Sequence, residues 1–204
     1  MQKRTFLKLG LIGLLSLTSG LSFALTEGKD YKKVLQQQSI EPHAKQVVEV
    51  FYYGCSHCYH LEPSLHEWLK KKPAKVNFKR VPAVLNNPNW VFMAKVYLTA
   101  EELGIVEKSH LAFFHALHRD KLPLFDLASI AKFHSQFGTS EQAFIDTFQS
   151  FKIDQKMRQA QRLTKAYGIE GVPSLIVNGQ YLTDLTMTGS HDNLWQTVDQ
   201  LLEK

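Results

Sequence analysis

Cysteine is nearly absent from this chain: there are two in 204 residues, Cys55 and Cys58. That excludes a scaffold held by several disulfides, and it excludes the structural zinc sites that need two cysteine pairs. Long apolar runs are also scarce. Beyond the N-terminal segment none reaches the ~20 residues needed to cross a bilayer, so the mature chain is expected not to span a membrane. A basic stripe interleaved with aromatics is missing as well. The formal net charge of +5 is partly a property of the N-terminus, because without Lys3, Arg4 and Lys8 the 24 basic residues become 21 against 19 acidic ones. Nucleic-acid binding therefore has no support. There is no internal repeat and no low-complexity tract.

The N-terminus reads as an export signal. Basic residues through Lys8 precede an apolar stretch from about Leu9 to Leu17, and Ser22-Phe23-Ala24 offers small residues at the positions a signal peptidase reads. Cleavage is expected after Ala24, with residues 1–24 as the signal. Lys3-Arg4 also resembles a twin-arginine signal with lysine in the first place. The mature chain is long enough to bury a core as one domain. An exported protein works in an oxidising compartment, where a dithiol pair can serve as an oxidant.

The cysteines lie where a strand becomes a helix. Gln46–Tyr53 is rich in β-branched and aromatic residues and reads as a central strand. The chain breaks at Gly54, and a helix with Leu61, Leu65, Trp68 and Leu69 on one face follows. Residues three apart are neighbours on a helix, so Cys55 and Cys58 can meet the distance a disulfide requires. Free N–H groups and the partial positive charge of the first turn stabilise a thiolate at Cys55. Cys58, one turn further in, should be more buried and act as the resolving thiol. His57 between them can add a donor or a positive charge. An inert staple is a weak alternative, since so small a loop restricts the unfolded chain very little. Metal binding through Cys55, Cys58 and His60 is the other alternative, and it falls short of the usual four ligands.

The remaining chain supplies the scaffold. A short edge strand is expected around Tyr31–Leu35 and a second strand over Val76–Pro82, while Pro63 should kink the cysteine helix. Glu49 is the odd member of its strand: either it points to solvent at a sheet edge, or it is partly buried and relays protons with a raised pKa. Four amphipathic helices are expected between about Asn86 and Phe151, the fourth capped by Ser140 with Phe144, Ile145, Phe148 and Phe151 on one face. His110, His115 and His118 fall in this region and read as surface or partly packed residues. After a helix over roughly Gln155–Tyr167, Val172–Val177 reads as a strand and Asn178-Gly179 as a hairpin turn. Ser190 caps the final helix. Pro173 is either an ordinary edge proline or, if its bond is cis, a fixed loop.

A strand leading into Cys-x-x-Cys, Pro63 eight residues after the first cysteine, and a late Gly171-Val172-Pro173 strand together resemble the thioredoxin fold. With the helical insertion, Phe51–Tyr59 and Gly171–Tyr181 resemble the DsbA family of periplasmic disulfide oxidases. The resemblance implies an α/β protein: a thioredoxin-like fold over residues 25–204, interrupted by a helical insertion at about 86–151. It implies Cys55 as the exposed nucleophile, Cys58 as its partner, and Val172-Pro173 as a cis-proline loop facing the sulfurs. Glu49 with Lys79 would be the acidic–basic pair beneath them, with Arg80 adjacent and on the opposite face. It further implies a periplasmic location, reduced exported proteins as clients, a DsbB-like quinone-linked membrane oxidase as partner, and no cofactor. One departure stands out: Ser56 replaces the proline of the best-known members beside the active thiolate, so potential and pKa do not carry over. The alternatives are an isomerase or reductase of the same fold and, from another class, a metal-binding or metal-delivery module.

Overall fold

The computed structural model describes residues 24–204. The expected export signal lies outside the described residues but for Ala24. Among the described residues no helix is long and apolar enough to cross a membrane.

Five strands form one mixed sheet. They are β1 (Lys32–Lys33), β2 (Lys45–Phe51), β3 (Val76–Pro82), β4 (Ser174–Val177) and β5 (Tyr181–Thr183), in the spatial order β1-β5-β4-β2-β3. β2 runs parallel to β3 and antiparallel to β4, and so lies inside the sheet with neighbours on both sides. That position explains its near-continuous apolar run. It also buries Glu49 completely, so that this carboxyl is not on a solvent edge. The β4–β5 hairpin turns at Asn178-Gly179, both with positive φ (51° and 65°), the primed geometry that matches strand twist.

Helix α1 (Ser56–Lys71) follows β2, and its helical span continues through Pro63. Between β3 and β4 come α2 (Pro88–Glu102), α3 (Val106–His118), α4 (Leu127–His134) with a tight extension at Ser135–Phe137, α5 (Glu141–Phe148) and α6 (Phe151–Tyr167). Short α7 (Leu185–Thr188) and α8 (His191–Leu202) close the chain. The caps follow the sequence: Asp126, Ser140, Ser150 and Ser190 each accept a backbone N–H at a helix start. Phe151 does not share the buried face of α5. Ser150 ends that stretch and starts α6, leaving Phe151 exposed in the new first turn.

Because side chains alternate along a strand, β2 feeds both faces of the sheet. Val47 packs with Leu61, Leu65 and Trp68 of α1 and with Leu194 and Val198 of α8. Val48 and Val50 pack on the other face with Tyr167 and Ile176. The Trp68 indole N–H donates to Asp199 at 2.9 Å, and its ring stacks on Trp195 at 5.1 Å. A third cluster joins Phe51, Tyr53 and Cys58 to Phe113, Phe114, Ile130 and Phe144 of the helical layer. Each of these large side chains contributes about 1.5–3 kcal/mol on burial. Cys58 is therefore packed where the end of β2 meets the helices.

Candidate active site

Cys55 occupies the N-cap of α1 in an extended conformation, φ −91° and ψ 117°. Both cysteines are free thiols in the structure, Cys55 partly exposed and Cys58 buried. As a thiol, Cys55 makes no capping bond and points its proton at the Val172 carbonyl, 3.3 Å away. As a thiolate it becomes the acceptor for groups already facing it. The Cys58 S–H contributes most, burial opposes, and the backbone N–H groups of Cys58 and His57 with the His57 side chain add to the stabilisation. Together they pull Cys55 down from 9.0 to about 5. Cys58 behaves oppositely. Burial, the hydrogen bond it gives to Cys55, and the charges of Cys55 and Glu49 all push its pKa far above the ordinary thiol range. The two sulfurs thus divide the labour: one is an anion at neutral pH, the other holds its proton.

The Val172–Pro173 peptide bond is cis, and the loop that carries it lies against the active sulfur. Ser56 and His57 are exposed in the first turn of α1. His57 acts on the Cys55 sulfur through both its backbone and its side chain. Exposed His60 sets a tilted ring against Tyr59, and among the described residues no three His, Cys, Asp or Glu side chains are grouped as metal ligands.

Beneath the cysteines the basic partner differs from expectation. Lys79 is exposed and stands opposite Val48, on the sheet face that does not carry Glu49. Arg80 is directly opposite Glu49 in the parallel register, and its Nε donates to Glu49 Oε2 at 2.9 Å. The reason is strand parity: a shift of one residue moves a side chain to the other face. Lys79 instead lines a cleft of about 780 Å³ with Tyr97 and Lys156, away from the cysteines.

Two site residues escaped the sequence reading. Arg80 Nη2 also donates to both oxygens of Glu62, at 3.2 Å each. His110 links Glu62 Oε1, at 3.1 Å from its Nε2, to the Tyr53 hydroxyl, at 2.9 Å from its Nδ1. A signal for both was present. Glu62 lies four residues after Cys58 on the buried side of α1, and His110 shares the apolar face of α3 with Phe113 and Phe114. Burial raises Glu49 to about 8, against the pull of Arg80 and with help from the charge of Glu62. For Glu62 burial acts the same way, but the His110 hydrogen bond and Arg80 outweigh it and lower the pKa.

Comparison with known proteins agrees with this geometry. Residues 46–201 match the family model of the DSBA-like thioredoxin domain. The thiol:disulfide interchange protein DsbA of Azotobacter vinelandii is 39% identical over 164 residues, covering 80% of this chain and 76% of that protein. The Pseudomonas syringae protein of the same name is 35% identical, over 88% of this chain and 84% of its own. The crystal structure of Pseudomonas aeruginosa DsbA superposes with a TM-score of 0.81 at 35% identity, covering 88% of this chain and 93% of that one. A strand-to-helix dithiol with split ionisation, a cis-proline loop against its reactive sulfur, and similarity running from β2 to α8 lead to one conclusion: the chain belongs to the family of DSBA-like thioredoxin domains, the thiol:disulfide oxidoreductases.

Proposed function

We propose that this thiol:disulfide oxidase donates a Cys55–Cys58 disulfide to newly exported proteins, with Cys55 as the sulfur attacked and Cys58 as the one released. A client thiolate attacks Cys55 Sγ; the new bond joins client to Cys55, and the electron pair of the broken S–S bond goes to Cys58. The leaving sulfur is buried and strongly disfavoured as an anion, so it needs a proton at once. Glu49 is the donor: at about 8 its carboxyl is mostly protonated at neutral pH, and Oε1 has no hydrogen-bond partner among the described residues. A second client thiolate then attacks the client sulfur, and Cys55 departs as a stabilised thiolate. The client has lost two electrons and the enzyme has gained them.

The observation that carries this reading is the low pKa of Cys55, which favours the reduced protein and so makes its disulfide oxidising. His57 sharpens that effect, and Ser56 sets the local shape of the turn. The Val172-Pro173 loop holds the client backbone in extended form beside the sulfur. A DsbB-like, quinone-linked membrane oxidase restores the disulfide, and the periplasm is the compartment. The mature unit is residues 25–204, with the helical insertion at about 86–151 carried on a thioredoxin-like frame. The test is the reduction potential against glutathione, with oxidation of a reduced unfolded polypeptide measured alongside. A potential well above that of thioredoxin, about −270 mV, with rapid client oxidation, is expected. A potential near that value would make the protein a reductase instead.

A further inference from the structure

Besides apolar packing, the helical layer joins a buried hydrogen-bonded line beneath the dithiol through His110. Glu49 on β2, Arg80 on β3, Glu62 on α1, His110 on α3 and Tyr53 after β2 form an unbroken line of hydrogen bonds of 2.9, 3.2, 3.1 and 2.9 Å. The line is largely shut off from water: Glu49, Glu62, His110 and Tyr53 are all buried, and the Arg80 side chain is 15% exposed. Two carboxyls share one guanidinium, so the buried group is neutral only when one of the two keeps a proton. Which carboxyl keeps it decides whether Glu49, the carboxyl whose charge acts on Cys58, holds a proton.

The hydrogen bonds to His110 decide that question. Glu62, as a carboxylate, can only accept, so His110 Nε2 must carry a hydrogen and donate. A neutral ring then has a bare Nδ1, which accepts from the Tyr53 hydroxyl. His110 is held neutral, its pKa lowered by burial more than Glu62 raises it, and Arg80 and Glu107 act on it in opposite directions. Tyr97 on α2 is the remaining titratable group facing Arg80, and burial and the charge of Glu101 keep it protonated. Glu62 therefore has two donors, the His110 ring and Arg80. Among the described residues Glu49 has only Arg80.

We propose that His110 is a positioning residue for disulfide exchange: fixed by Tyr53, it donates to Glu62, keeps that carboxyl ionised, and thereby leaves the shared proton on Glu49 for the departing Cys58 sulfur. The helical insertion thus acts on the chemistry of the dithiol through α3. The inference rests on Glu49 being the proton donor.

The experiment is the pH profile of client oxidation by the disulfide form, normalised to the concentration of client thiolate. Wild type shows a falling alkaline limb as Glu49 ionises. Glu49→Gln loses the limb. His110→Leu takes a donor from Glu62, lets it compete for the proton, and moves the limb to lower pH by about one unit. His110→Gln, which can still donate to Glu62 and accept from Tyr53, restores most of the wild-type position. Glu62→Gln, leaving Arg80 to Glu49 alone, moves the limb in the same direction as His110→Leu and serves if the leucine variant does not fold. Cys55 titrates unchanged in every variant. If Glu49→Gln keeps the wild-type limb, the donor lies elsewhere and both readings fall. If Glu49→Gln loses the limb while His110→Leu or Glu62→Gln leaves it in place, only the role of His110 falls. Equal shifts in His110→Leu and His110→Gln, or a displaced Cys55 titration, also overturn it.

Discussion

Lowering the pH should erase the preference for the reduced protein, by an amount that follows from the Cys55 titration. In the folded dithiol Cys55 ionises at about 5 against an ordinary 9.0. In the unfolded chain it returns to the ordinary value, and in the disulfide it does not titrate at all. Because the folded pKa is depressed, the unfolded reduced chain binds more protons between those limits. Stability of the reduced form therefore rises with pH across that window and is lost as pH falls through about 5. At pH 7 the two units separating the folded value of about 5 from the ambient pH amount to at most about 2.7 kcal/mol, which is about 60 mV of potential. Cys55 is only half-buried, so solvent screening reduces this, and about 1–2 kcal/mol is the expected effect. The assay is denaturant unfolding of the oxidised and reduced proteins at pH 4 and pH 7, beside a titration of the thiolate absorbance. The stability difference should shift toward the reduced form by that amount at pH 7. A difference independent of pH, or a Cys55 titration above neutrality, would refute the argument.

Other outcomes follow from single groups. Replacing Glu49 with Gln removes a carboxyl whose buried pKa is raised to about 8. Such an acid stabilises the fold least once pH exceeds its unfolded value, so Glu49→Gln should raise stability by about 1–3 kcal/mol at neutral pH while slowing client oxidation. Thermal or urea unfolding with a rate assay separates the two effects. His134 is buried against Phe144 and Phe113, with Nε2 lacking a partner among the described residues, and burial lowers its pKa to about 4. The unfolded histidine binds a proton that the folded one refuses, so between pH 7 and pH 5 the protein should lose about 2 kcal/mol that His134→Leu keeps. Urea unfolding of both proteins at the two pH values checks this, and parallel losses would count against it. Gly179 has φ +65°, and a Cβ there would run into the Gln38 carbonyl oxygen. Gly179→Ala should cost about 2 kcal/mol in denaturant unfolding without altering the Cys55 titration.

The sequence determined what local chemistry can determine. β-branched runs, Ser and Asp caps, and Asn178-Gly179 each act within a few residues, so β3, the start of α5, the hairpin and the start of α8 can be placed without the rest of the molecule. The spacing of Cys55 and Cys58 at a helix start likewise announces a split dithiol, because the N–H groups that stabilise the thiolate belong to the same turn. Partners brought together across the sheet are different. Lys79 and Arg80 look equivalent in sequence, and only the register of β3 on β2 turns Arg80 toward Glu49. His110 and Glu62 are 48 residues apart, and α3 had to pack on α1 before either had a reason to be buried. The sequence writes which atoms can ionise. Tertiary packing decides which of them keep a proton, because that depends on the water removed and on the charges brought near from elsewhere in the chain.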